Sequence, residues 1–104
     1  MSDDTAGRRV IDRGQARFEL GRIVATPGAL AAFERNEADG RAQLARHVRG
    51  DWGDVDEEDQ ATNERRVKGG SSIQSVYHLD DGTEVWVITE ADRSMTTFLL
   101  PEEC

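Results

Sequence analysis

The strongest constraint on the fold lies near the carboxyl end of the chain, where polar and apolar residues alternate on both sides of an Asp-Gly turn. Residues 73–79 read IQSVYHL and residues 84–89 read EVWVIT, with DDGT between them. Two alternating segments joined by Asp-Gly are a characteristic signature of a β-hairpin. The pattern therefore predicts two antiparallel strands, and it commits this part of the chain to a sheet.

The length of the hairpin loop decides which residues face each other. A two-residue loop would pair Tyr77 with Trp86. A three-residue loop with Gly82 as the bulge would instead pair His78 with Glu84. We favour the three-residue loop because it sets the imidazole across from a carboxylate. It also gathers five apolar side chains on one face, namely Ile73, Tyr77, Leu79, Val85 and Val87.

Two helices are predicted upstream of the hairpin from their start and stop residues. The first covers residues 27–35, because Thr26 can cap it and Pro27 suits its first position. The second covers residues 41–49 and stops at Gly50. Both carry an apolar stripe at helical spacing, so both are expected to pack on the sheet.

Two further strands and a third helix complete the prediction. Residues 18–24 alternate well enough for a first strand, with Gly21 as a bulge or a point of close packing, and residues 96–100 form the last strand. The expected fold is α+β: three short helices packed on a small, mainly antiparallel sheet of three or four strands in the order β-α-α-α-β-β-β. A chain of 104 residues has room for one core. We therefore expect a flexible tail over residues 1–14 and a single domain over residues 15–104.

Charge and composition limit the functions that are open to the chain. Its 21 acidic residues against 13 basic ones give a net charge of −8, which repels phosphate backbones and argues against direct binding of nucleic acid. A basic partner is the more natural expectation. The single cysteine excludes an internal disulfide, and no apolar window is long enough to cross a membrane. These features predict a cytoplasmic protein.

The stretch HVRGDWGDVDEEDQ, residues 47–60, carries six carboxylates between Asp51 and Asp59. Its first four residues end the second helix, and residues 51–55 form a turn that contains Trp52. Residues 56–59 begin the third helix, with Asp56 as its cap and acids in its first turn; bases follow in its last turn before Gly69-Gly70. That charge order matches the helix dipole without any function. Asp51, Trp52 and Asp54 are the residues still to be explained.

The sequence does not match the patterns of known metal sites or catalytic motifs. His47, His78 and Cys104 are too scattered for a zinc site, and an EF-hand counted from Asp54 has Asp59 where glycine is required. No nucleophile elbow or phosphate-binding glycine loop occurs. We predict no catalytic residue, no metal site and no cofactor, and interpret His47 as a half-buried histidine bonded to a neighbour.

The loop ITEADRSMTT, residues 88–97, joins the last two strands. Its acids and hydroxyls are typical of a turn in which Asp92 bonds the backbone and Arg93 ties the loop together. A polar recognition loop is the functional alternative. Trp86 is expected in the core or on the second sheet face, and Trp52 either in the core or exposed as an anchor for a partner.

Four blocks of the sequence resemble one family. GRIVATPGALAAFERN, RHVRGDWGDVDEED, NERRVKGG and VWVITEADRSMTTFLLPEE are similar to small uncharacterised bacterial proteins of plasmids, prophages and other mobile elements, often labelled plasmid-related. The resemblance covers about residues 15–103. It implies a mobile-element context and supplies no activity, so no catalytic residue is carried over. Small acidic proteins from such elements include anti-CRISPR and anti-restriction inhibitors, some of which mimic DNA with arrays of carboxylates.

The sequence thus leads to one favoured hypothesis and two alternatives. The favoured one is a non-enzymatic protein that docks on a basic protein or nucleoprotein surface. The first alternative is a small metal-dependent enzyme or module built around His47, Asp51 and Asp54, with Glu90, Asp92 and Arg93 as further candidates. The second is a structural homodimer. The residues predicted to bind the partner are Asp51, Trp52, Asp54, Asp56, Glu57, Glu58, Asp59, Asp92 and Arg93.

Overall fold

The computed structural model describes residues 16–104, so the tail predicted over residues 1–14 lies outside the described residues. The α+β fold is confirmed, with the elements in the predicted order. All three helices have their predicted positions, and the side chains of Thr26 and Asp56 cap the first and third of them as expected. The elements are β1 (Arg22–Ala25), α1 (Pro27–Arg35), α2 (Arg41–Arg49), α3 (Glu57–Gly69), β2 (Ile73–His78), β3 (Glu84–Thr89), β4 (Met95–Leu99) and a final 3-10 turn (Pro101–Glu103).

The four strands form one sheet in the order β1-β4-β3-β2, in which β1 runs parallel to β4 and the other pairs are antiparallel. His78 lies opposite Glu84 in the hairpin, so the three-residue loop is confirmed. The five apolar side chains predicted to share one face are all buried. Tyr77, Leu79, Val85 and Val87 pack beneath α1, where Phe33 meets Phe98 edge to face at 5.0 Å between ring centroids.

The first strand is shorter than predicted, because it begins at Arg22 rather than at residue 18. Gly21 has a φ of +66°, and a Cβ atom there would lie 2.3 Å from the backbone carbon of Ser94. The predicted close packing at this glycine is therefore confirmed. The described residues before it are not part of a strand, and Phe18 packs instead against the rings of His47 and Trp52.

The outer edge of β2 is covered by the turn at residues 51–55. The Val76 N–H donates to the Trp52 carbonyl at 3.0 Å, and the Asp54 N–H donates to the Val76 carbonyl at 2.7 Å. The Asn63 side chain on α3 bonds both backbone groups of Gln74, donating to its carbonyl at 2.7 Å. The N–H and carbonyl groups of Gln74 and Val76 point away from β3, and all four of them therefore have partners.

No helix in residues 16–104 is long and apolar enough to cross a membrane.

Candidate functional site

The predicted partner-binding residues of the stretch 51–59 lie on one side of the molecule, at the covered edge of β2. We call its six carboxylates the acidic surface: Asp51, Asp54, Asp56, Glu57, Glu58 and Asp59. Gly50 has a φ of +91° and ends α2, the turn at residues 51–55 pairs with β2, and α3 begins at Glu57. Three local structures therefore hold these acids in place.

Asp51 is committed to the fold. Its carboxylate accepts from both ends of the Arg46 guanidinium, at 2.7 Å from Nε and 3.1 Å from Nη2. The Arg46 hydrogen bond holds the pKa of Asp51 below its usual value. The same guanidinium lies 4.6 Å over the Tyr77 ring, and the Tyr77 hydroxyl donates to the Asp51 carbonyl at 2.6 Å. Asp51 thus anchors the end of α2 to the sheet.

Asp54 pairs with His78, not with other carboxylates that could hold a metal ion. Its Oδ2 lies 2.7 Å from Nδ1 of His78, whose Nε2 lies 3.6 Å from the Glu84 carboxylate. All three side chains are solvent-accessible. His78 therefore sits between two carboxylates, and through it Glu84 of β3 adjoins the acidic surface.

Trp52 is buried, with 4% of its surface exposed, so the hypothesis that it is an exposed anchor for a partner is wrong. Its ring stacks on Phe18 with centroids 6.2 Å apart, and its indole N–H donates to Glu64 at 3.2 Å. The Glu64 carboxylate also accepts two bonds from Arg17, at 2.7 and 2.8 Å, which lower the pKa of Glu64. Burial of a large ring outweighs the polar residues on either side of it in the sequence.

The first turn of α3 is the part of the acidic surface that keeps its charge exposed. Asp56 caps the helix by accepting from the Asp59 N–H at 2.8 Å. Glu57, Glu58 and Asp59 are exposed. Within residues 16–104, no basic side chain forms an ion pair with any of these four acids. They form a dense negative patch on a fixed helical turn.

Asp92 and Arg93 do not join this patch. Arg93 has a φ of +61° and donates to the carbonyls of Ser71, at 2.7 Å, and Arg66, at 3.0 Å. These contacts lie at the carboxyl end of α3, where Arg66 is about 14 Å along the helix from Glu57. The Asp92 carboxylate accepts from the Ser94 N–H at 3.0 Å, so the predicted turn tied by Arg93 is confirmed.

His47 lies in the core, apart from Asp51 and Asp54. Its Nδ1 is 2.5 Å from the Ser75 hydroxyl, and its Nε2 is 2.9 Å from the Thr89 hydroxyl. The predicted histidine bonded to neighbours is confirmed, and it is buried completely rather than by half. A hydroxyl beside an imidazole resembles a nucleophile and its base, yet both side chains are fully buried, so no substrate reaches them.

Across residues 16–104 no three His, Cys, Asp or Glu side chains converge as a metal site would require. The two ring nitrogens of His47 are already bonded, Asp51 is held by Arg46, and Asp54 by His78. The residues named for the metal-dependent alternative are therefore divided among separate contacts.

The polar core around His47 is what the sequence reasoning missed. Ser75, Thr89 and Thr96 are fully buried. A signal was present, since Ser75 lies between Ile73 and Tyr77 on the inward face of the hairpin, and Thr89 lies two residues after Val87. A hydroxyl at an inward strand position needs a buried partner, and a helix-face histidine is the natural candidate.

Comparison of the chain with protein-family models, with curated proteins and with solved structures found no match.

Proposed function

We propose that the chain is a small, non-enzymatic binding protein of mobile-element type that docks through its acidic surface on a basic partner. The partner is a protein or nucleoprotein with an Arg- and Lys-lined groove, and the proposed role is inhibition of a host defence complex of the anti-CRISPR or anti-restriction kind. The observation that supports it is the exposed first turn of α3, where Glu57, Glu58 and Asp59 have no ion-pair partner among residues 16–104.

The physical argument is electrostatic complementarity. Carboxylates held on a capped helical turn need little rearrangement before they meet a basic groove, so less conformational entropy is lost on binding. A net charge of −8 also attracts a cationic partner over distance and raises the rate of encounter. Competition with DNA for the same groove follows from this charge, because both present a row of negative groups.

The proposal is tested by capture of host proteins on the immobilised chain, followed by elution with salt or with excess duplex DNA. We expect a captured protein that both treatments release, since its groove binds either ligand. The variant Glu57→Gln, Glu58→Gln, Asp59→Asn should lose that protein. It keeps Asp56, so the helix cap survives the change.

The matched control is Glu19→Gln, Glu37→Gln, Glu102→Gln, which removes three exposed charges elsewhere and should retain capture. Thermal unfolding of both triple variants separates lost binding from lost structure, because acids in the first turn of a helix contribute only about 0.3–1 kcal/mol each. The proposal fails if no captured protein is released by DNA, or if both triple variants capture it equally.

A further inference from the structure

The two edges of the sheet differ. The β2 edge is covered by the turn at residues 51–55 and by Asn63, as described above. The other edge is β1, and no described strand pairs with its outer side. An uncovered strand edge presents backbone groups that can pair with another strand.

The hydrogen-bond pattern shows which groups β1 presents. Its even-numbered residues bond β4, since the Arg22 N–H donates to the Ser94 carbonyl at 2.9 Å and the Thr26 N–H donates to the Phe98 carbonyl at 3.0 Å. The backbone groups of Ile23 and Ala25 therefore point away from the sheet. Among residues 16–104, none bonds them.

Exposed apolar side chains lie beside this edge. Among residues 16–104, the exposed large hydrophobic side chains are Ile23, with 43% of its surface exposed, and Leu30, with 58%. Both line one groove of about 270 Å³, together with Phe33 and Phe98. Open backbone groups and exposed apolar surface thus occur at the same place.

We propose that the outer edge of β1 is a homodimer interface, at which two copies of the chain pair their β1 strands antiparallel into one continuous eight-stranded sheet. In a pair centred on Val24, Ile23 of each copy exchanges two hydrogen bonds with Ala25 of the other, which makes four bonds. These are the same residues whose backbone groups point outward, so the edge is complementary to itself.

A second copy fits this edge for two further reasons. A two-fold axis through the paired strands keeps both helical faces on one side, so each Ile23 and Leu30 patch meets an identical apolar patch. The acidic surface lies at the β2 edge, on the far side of the sheet, so its carboxylates are distant from the contact. The acid that lines the groove beside β1 is Asp39, and it pairs with Arg41 at 3.2 Å.

The proposal is tested by measuring the mass of the full chain in solution over a range of concentrations, by sedimentation or light scattering. We expect a reversible dimer, twice the 11.5 kDa of one chain. Ile23→Pro removes an N–H that bonds only the second copy, and it should weaken the dimer about tenfold or more. Ile23→Val keeps both the N–H and the apolar side chain, and it should dimerise normally.

A second pair of variants decides the matter even if the proline variant fails to fold. Leu30→Glu places a charge in the apolar patch and should abolish the dimer, whereas Ala61→Glu places the same charge on the exposed side of α3 and should not. A chain that is monomeric at every concentration overturns the proposal, as does a dimer that survives Leu30→Glu. Dimers that form only after residues 1–15 are removed would assign the edge to the N-terminal segment and also overturn it.

Discussion

At the scale of single residues, His47 is the centre of the polar core. Its imidazole connects the hydroxyls of Ser75 and Thr89, the Thr89 hydroxyl lies 2.7 Å from that of Thr96, and Thr96 donates to the Leu20 carbonyl at 2.7 Å. The chain of bonds joins α2 to β2, β3, β4 and the segment before β1. A neutral imidazole suits this position, because one nitrogen donates and the other accepts.

This burial predicts a loss of stability in mild acid. Burial, and to a lesser degree the charge of Arg93, lowers the pKa of His47 from 6.5 to about 4. Above pH 6.5 the histidine is neutral in both states. Between pH 6.5 and 4 only the unfolded chain takes up the proton, so the free energy of unfolding should fall by about 3 kcal/mol across that window. Urea unfolding at a series of pH values measures it.

The control for this effect is His47→Gln, which can still bond two hydroxyls but does not titrate. Its unfolding free energy should depend less on pH between 6.5 and 5 than that of the natural chain. Equal slopes for the natural chain and His47→Gln would contradict the assignment.

Sequence predicted the position of this histidine but not its partners. Its place on an apolar helix face follows from local spacing, which the chain displays directly. Its partners Ser75 and Thr89 lie 28 and 42 residues further along the chain, and only the folded sheet brings them together.

At the scale of elements, the turn at residues 51–55 is part of the sheet. Gly53 forms a short parallel bridge with Val76 of β2. This pairing holds the turn against the sheet, so Trp52 can be buried although acidic residues lie close to it in the sequence. Trp52 is drawn into the core by the turn, while Asp51 and Asp54 point to Arg46 and His78 on either side. Trp52 and Asp54 could not be interpreted from the sequence because their partners, Glu64 and His78, lie 12 and 24 residues further along the chain.

Gly53 is the residue that the pairing depends on most. Its φ is +77°, and a Cβ atom would lie 2.0 Å from the Val76 carbonyl oxygen. We expect Gly53→Ala to lower the free energy of unfolding by about 2 kcal/mol or more, because backbone strain and displacement of the edge add together. Chemical denaturation measures the change.

Gly70 provides a control with the same φ of +77° and no atom within 4 Å of the added Cβ. Gly70→Ala therefore reports the backbone strain alone, expected at about 1 kcal/mol. If the two alanine variants are equally stable, the contact between the turn and β2 contributes little.

Helix ends and the hairpin register were predictable because their signals are local: a capping side chain, a proline, a glycine stop and an Asp-Gly turn. The start of β1 was not, since it is set by the approach of Gly21 to Ser94, a contact between distant parts of the chain. The distance between Arg93 and the acidic surface was not predictable either, because it also depends on contacts between distant parts of the chain. In the sequence, residues 51–55 and 90–94 both look like polar loops, and only the folded structure shows that they lie at opposite ends of α3.

At the scale of the whole molecule, the acidic surface and the exposed large apolar side chains lie at opposite edges of the sheet. The acidic surface lies beside β2, and the exposed side chains of Ile23 and Leu30 lie beside β1. A dimer formed through β1 would therefore carry its two acidic surfaces at the far ends of the joined sheet. The proposed function and the proposed dimer use separate surfaces, and each can fail without the other.

The parallel pairing of β1 with β4 also bears on how the chain folds. Strands β2, β3 and β4 follow one another and pair as neighbours, whereas Ile23 must find Thr96 across nearly the whole domain. Closing so long a loop costs conformational entropy before the contacts between the two strands stabilise it. We therefore expect the three antiparallel strands to form in the folding transition state, and β1 to join afterwards.

Folding and unfolding rates of two variants test this order. Val24→Ala in β1 should mainly speed unfolding, with a φ-value of about 0–0.3, whereas Val87→Ala in β3 should slow folding, with a φ-value above about 0.5. The reverse ranking would show that β1 forms early. If β1 joins the sheet last in folding, it is also the first strand to detach in unfolding. The apolar edge formed by β1 would then be the part of the sheet that opens fastest.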